Sequence, residues 1–165
     1  LMLSTSASAS VQGMLFWLMG DLSQSSVGPA QIGVLVVGAG LAMRAARSLN
    51  VLVRGDLVAA SLGVDIKRLR LSLFFGASLL TVIAVTTAGS VGFVGLVVPH
   101  MLRLIGARDH RVLIPFSLLT GGTFLVVADT LARTLLAPQQ LPVGVITALI
   151  GVPSFIAILR STPSK

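Results

Sequence analysis

Four apolar stretches, at 30–52, 71–89, 92–106 and 112–136, fill most of this chain, with a fifth at 142–159. A hydrocarbon core about 30 Å thick takes roughly 20 mostly apolar residues per crossing helix. Charged residues make up 10% of the chain and hydrophobic ones 55%, where a soluble domain carries about 25% charged. No soluble fold could cover that much apolar surface. The expected fold class is therefore all-α: a polytopic membrane helix bundle of about five transmembrane helices, with short helices in its connections.

The basic residues are distributed unevenly among those connections. Arg44 and Arg47 lie toward the end of the first span, and Arg54, Lys67, Arg68 and Arg70 fall between it and the second, against Asp56 and Asp65. Arg103 lies at the end of the third span, Arg108 and Arg111 follow it, and Arg160 and Lys165 lie in the tail. Eleven of the twelve Lys and Arg residues thus sit on or beside alternate connections, which the positive-inside rule makes cytoplasmic. The connections around Gly89–Gly92 and Ala137–Pro142 are uncharged, and the first carries only Asp21. Residues 21–28 are expected outside and the C-terminus inside. A net charge of +7 arranged this way reads as a cytoplasmic membrane face next to lipid headgroups, not as a nucleic-acid surface. Met14, Phe16, Trp17 and Met19 read as a belt at the outer surface.

Several chemistries are missing. The chain has no cysteine, hence no disulfide framework, thiolate nucleophile or thiolate metal site. No G-x-x-x-x-G-K-[ST], G-x-S-x-G or H-E-x-x-H pattern occurs. No metal site and no directly bound cofactor are expected.

Four local features remain as candidates. Asp56-Leu57-Val58-Ala59-Ala60-Ser61-Leu62 reads as a short helix with Asp56 near its start and Gly63 as its C-cap. A second short helix is expected from Asp65, entering the next span at Leu69–Leu71. Leu57, Val58 and Leu62 form an apolar stripe that suits either a docking partner or lipid headgroups. Asp129 and Arg133 are four apart, the spacing of a local ion pair, and Arg133 is the basic residue left on the outer side. His100 follows Pro99 in an apolar helix, where packing or a hydrogen bond to a carbonyl freed by the proline explains it more simply than proton relay. Finally, Gly92, Gly95, Gly144 and Pro153 fall within the spans, as close-packing positions or along a pathway.

The run Gly89-Ser90-Val91-Gly92-Phe93-Val94-Gly95-Leu96-Val97-Val98-Pro99-His100, with Arg103-Leu104 and Asp109-His110-Arg111, resembles the FecCD family of permease subunits. These serve bacterial ABC importers for iron–siderophores, haem and vitamin B12. Ala128-Asp129 through Ala132-Arg133, Leu141-Pro142-Val143-Gly144, and Thr147 to Pro153 resemble the family's closing segment. Phe16-Trp17-Leu18-Met19-Gly20 resembles its motif at the outer end of helix five.

The resemblance covers the whole chain and implies its domain organisation: residues 1–165 as the end of helix five to helix ten of a ten-helix permease. The first twenty residues read as the tail of an earlier apolar segment, and a partial chain is expected. The resemblance also implies a multi-pass protein of the bacterial inner membrane that pairs with a second permease subunit, as homodimer or heterodimer. Residues 54–70 would be the loop that couples to a cytoplasmic ATP-binding subunit, through Asp56, Leu57, Ala60, Leu62, Gly63 and Arg68. ATP would be used by that partner and not by this chain. An external substrate-binding protein would dock through acidic groups onto Arg133. The residues by themselves also leave open a proton-coupled carrier titrating Asp129, and a membrane enzyme using His100 with Asp129.

Overall fold

The computed structural model describes residues 13–22, 26–135 and 141–161. Expectations that fall on residues 1–12, on 137–140 and on Lys165 lie outside the described residues. Among those described, the secondary structure is entirely helical. A helical segment over 13–18 is α1. It is followed by α2 (Pro29–Leu52), α3 (Asp56–Ser61), α4 (Ile66–Ala88), α5 (Val94–Leu104), α6 (His110–Thr134) and α7 (Val143–Ser161).

Three of these helices, α2, α4 and α6, are long and apolar enough to cross a membrane. Helices stand at all five expected spans, with two corrections. The expected span 92–106 yields only the eleven residues of α5, which rise about 16 Å, roughly half a hydrocarbon core. Its start is delayed because Phe93 takes the left-handed conformation, φ 66°, which a helix cannot include. Its end is set at Gly106, φ 103°, where the Ala107 N–H reaches the Leu102 carbonyl (3.0 Å) and the Gly106 N–H that of Arg103 (3.2 Å), a Schellman closure.

The second correction concerns 65–71. No separate short helix forms there. Asp65 caps one continuous helix, its Oδ1 accepting the Arg68 N–H at 3.0 Å. From Ile66 onward no proline interrupts the run to Ala88. The span therefore begins five residues earlier than expected and carries Lys67, Arg68 and Arg70 on its first turns. Only one short connecting helix, α3, is present among the described residues.

Contacts divide the chain into two compact units. The first contains residues up to 26, 85–100 and 120 onward. Its core is Ala128 and Ala132 of α6 against Val143 and Ile146 of α7, flanked by Leu22, Val91 and Leu141. Between apolar helices in lipid there is little hydrophobic gain in association, so small residues and backbone bonds carry the packing. The two alanines supply the close approach, and the Leu141 N–H donates to the Ala132 carbonyl at 3.2 Å.

The second unit holds residues 27–84 and 101–119. Here α2 starts with Pro29 in its first turn, and the Gly28 N–H before it is satisfied by Gln31 Oε1 at 2.7 Å. Ala46 and Ala59 are fully buried, with Leu102 and Leu113 nearly so.

Candidate functional site

In the second unit, α3 hangs between the ends of α2 and α4. The chain leaves α2 through Val53–Gly55, with Gly55 at φ 113°, a conformation that suits glycine. Helix α3 closes on Gly63, φ 79°: the Gly63 N–H donates to the Ala60 carbonyl and the Val64 N–H to that of Ala59, both at 3.0 Å. The expected cap at Gly63 is thus a full Schellman motif.

Asp56 is the first residue of α3 but does not cap it; Gly55 takes that place. Its carboxylate is held instead by Arg70 of α4, whose Nη2 donates to Oδ1 at 2.9 Å and Oδ2 at 2.8 Å. Arg68 pairs with Asp65 at 2.9 Å. Ala59 anchors the inner face of α3 at 0% exposure, while Leu57 is 88% exposed and Leu62 63% exposed. Ala60 and Val58 are exposed as well. This short helix buries an alanine and presents Leu57, with Leu62 at its C-cap, and that apolar face is largely uncovered among the described residues.

A polar cluster that the sequence reading did not assemble stands beside this segment. Asn50, in the last turn of α2, donates from Nδ2 to Asp109 Oδ1 at 2.6 Å. Asn50 Oδ1 accepts the His110 backbone N–H at 2.9 Å and lies 2.7 Å from His110 Nδ1. Asp109 Oδ1 also accepts the Arg111 N–H at 2.8 Å, so Asp109 caps α6, and His110 is the first residue of that helix and not a loop residue. Hydrogen bonds from the Arg111 N–H and then the Asn50 amide hold the Asp109 carboxyl below its ordinary value of 3.8. Polar residues 59 and 60 positions apart leave no local spacing signal, which is why sequence reasoning passed over the set.

The first unit is built differently. Residues 17–22 pass between the end of α4 and the start of α7, with backbone bonds on both sides: Asp21 N–H to the Ala88 carbonyl at 3.1 Å, and Val143 N–H to the Gly20 carbonyl at 3.0 Å. Glycine makes this crossing possible. A Cβ on Gly89, φ 71°, would overlap the Trp17 carbonyl oxygen, and one on Gly144 would overlap that of Met19. Gly151 similarly receives the Phe93 side chain.

Gly144 thus sits against backbone that leaves no room for a Cβ, whereas a Cβ on Gly92 or Gly95 meets nothing within 4 Å. Gly92 instead lines an open groove of about 540 Å³ with Met19, Ser90, Phe93, Gly144 and Val145. Pro153 lies on an exposed face of α7, and Pro99 inside α5 is half-buried.

Arg133 Nε donates to Asp129 Oδ2 at 2.8 Å, the expected i,i+4 pair. The Arg133 side chain keeps 40% of its surface accessible. His100 Nδ1 faces the Leu96 carbonyl at 3.2 Å. The carbonyl left without its N–H by Pro99 is that of Gly95, so His100 bonds a neighbouring carbonyl and not the freed one. His100 and Asp129 are thus each engaged locally and separately. Among the described residues no group of His, Cys, Asp or Glu is placed to hold a metal ion.

The profile of the FecCD transport family matches residues 1–161. The cobalamin import system permease protein of Halobacterium salinarum is 48% identical over 152 residues, covering 91% of this chain and 41% of that protein. The hemin transport system permease protein of Yersinia pestis is 41% identical, covering 90% and 46%. The Fe(3+) dicitrate transport system permease protein of Escherichia coli is 41% identical, covering 90% and 48%. A solved inward-facing conformation of a metal-chelate type ABC transporter superposes with a TM-score of 0.79 at 29% identity, covering 92% of this chain and 49% of that one. The chain spans less than half the length of these relatives.

Proposed function

The chain belongs to the FecCD transport family, and from that premise we propose that it contributes to the permease subunit of an ABC importer for an iron–siderophore or related metal chelate. Relatives named for cobalamin, hemin and ferric dicitrate transport support the substrate class, metal chelates. The reading places the protein in the inner membrane with its charged connections and C-terminus in the cytoplasm. A second permease subunit completes the pathway, and the Gly92–Gly144 groove contributes to its wall. An external binding protein delivers the chelate and contacts Arg133.

The observation that carries the proposal is α3. It is held by the Asp56–Arg70 pair and a Schellman closure, yet it presents Leu57 almost wholly uncovered and Leu62 mostly so. A rigid apolar knob on a basic face, in a chain with no phosphate loop, suits a separate ATP-hydrolysing subunit. Movement of that subunit on ATP binding displaces the knob, and the helices attached to it change which side of the membrane the pathway faces. In the assembled transporter, Leu57→Asp should reduce retention of the ATPase in detergent pull-downs by roughly 100-fold, the effect of placing a charge in a desolvated contact worth about 3 kcal/mol. Full retention by Leu57→Asp and by Leu62→Asp alike would leave α3 as an interfacial helix on headgroups and remove the main support for this reading.

A further inference from the structure

Helix α3 is joined to α2 by three residues, so its position follows the last turn of α2. That turn is tied to the start of α6 through one side chain. Asn50 uses both faces of its amide: Nδ2 donates to Asp109 Oδ1 (2.6 Å), while Oδ1 takes the His110 backbone N–H (2.9 Å) and the Nδ1 proton of the same residue (2.7 Å). An amide oxygen only accepts, so the proton must sit on His110 Nδ1. The arrangement requires a side chain that donates on one side and accepts on the other. Leucine would break both contacts, and aspartate would face the Asp109 carboxylate.

The tie also acts on the helix that it meets. Asp109 Oδ1 accepts the Arg111 N–H (2.8 Å) and the Asp109 carbonyl accepts those of Val112 and Leu113 (3.0 and 2.8 Å), so the group that Asn50 grips is itself the N-cap of α6. Displacing α2's last turn therefore either carries the first turn of α6 along or uncaps it. On the other side of α3, the Asp56–Arg70 pair makes the corresponding link to α4.

We propose that Asn50 is a positioning residue that transmits displacement of α3 to α6, so that an event at the docking knob is felt in a membrane-crossing helix. The inference rests on the docking reading above. It identifies the physical connection that coupling between distant sites requires: an element both ends can bias.

The test uses the transporter with its ATPase in lipid vesicles and a thiol placed on α6 by Val112→Cys, an exposed position in a chain without native cysteine. The parent protein lacking Val112→Cys gives the background. Maleimide labelling at position 112 is measured with and without ATP and vanadate, alongside ATPase co-purification. With Asn50 intact, nucleotide should change the labelling rate about fivefold or more, the lower end of ordinary coupling between sites. Asn50→Asp and Asn50→Ala should retain the ATPase but lose that change. A purely local cap would not show this nucleotide dependence. If the Val112→Cys protein with Asn50 intact responds and its Asn50→Asp and Asn50→Ala derivatives respond equally, the transmission role is wrong while docking stands. An absent response in the Val112→Cys protein with Asn50 intact refutes transmission to α6. Failure of that protein to hold its ATPase refutes the docking reading and this inference with it.

Discussion

Gly144 and Gly95 are each the second residue of a helix, α7 and α5, so replacing either with alanine brings the same intrinsic helix gain, at most about 1 kcal/mol. Their surroundings should give the two changes opposite signs. At Gly95 the new methyl meets nothing within 4 Å, and the propensity gain stands alone. At Gly144 it would overlap the Met19 carbonyl oxygen, with Met19 C at 3.0 Å and Ser90 O at 3.2 Å. All three are backbone atoms, which cannot rotate away. The residue 17–22 segment must then move off α7, straining or breaking the Val143–Gly20 and Asp21–Ala88 bonds. Two backbone bonds at about 1 kcal/mol each and an overpacking term of about 1–3 kcal/mol, less the propensity gain, leave a loss of roughly 2–4 kcal/mol. At roughly 2–4 °C per kcal/mol, Gly144→Ala should lower the melting temperature in detergent by about 10 °C, and Gly95→Ala should leave it level or raise it by about 3 °C. Circular dichroism melts of the two purified variants decide the matter. Equal melting temperatures, or a loss at Gly95 as large as at Gly144, would refute the argument that the glycine crossing holds this unit.

Two further outcomes test the charged groups. Arg133→Glu should weaken docking of the external binding protein by roughly tenfold, mostly through the association rate, and leave ATPase retention unchanged; surface plasmon resonance showing unaltered affinity would remove Arg133 from that interface. Asp109 is held below its ordinary value of 3.8 in the folded protein, so its charged form stabilises the fold. That contribution is complete above about pH 4 and is lost as pH falls through the lowered folded-state value. Wild-type protein should therefore lose melting temperature more steeply than Asp109→Asn as pH drops from about 4 to 2, and parallel curves would show that the carboxylate contributes nothing.

Much of the fold was legible because membrane helices announce themselves by length and composition. The pattern also located Gly63 correctly, since a glycine after a short amphipathic run is the residue a Schellman turn needs. It failed where a backbone conformation intervened. Nothing in the apolar run 92–106 signals that Phe93 adopts φ 66°, a position paid for by tertiary contact with Gly151 rather than by local preference. It failed again at Asp65, where a cap residue followed by a charged turn looks the same whether the helix stops after two turns or runs on to Ala88.

The site was legible only in part, and for a physical reason. Spacing identifies pairs on one helix, and so it found Asp129–Arg133 four residues apart. Asp56–Arg70 spans 14 residues and Asn50–Asp109 spans 59, separations at which the partners meet only because helices return to the same place. The same limit applies to α3. Its sequence leaves lipid headgroups and a protein partner equally open, because both want an apolar stripe. The structure adds that this short helix is fixed at both ends, by Asp56 to Arg70 and by its Schellman closure, while its leucines stay uncovered. Under the proposed coupling role such ties let the helix receive a push and pass it on, so the polar contacts around α3, together with its apolar face, support that proposal.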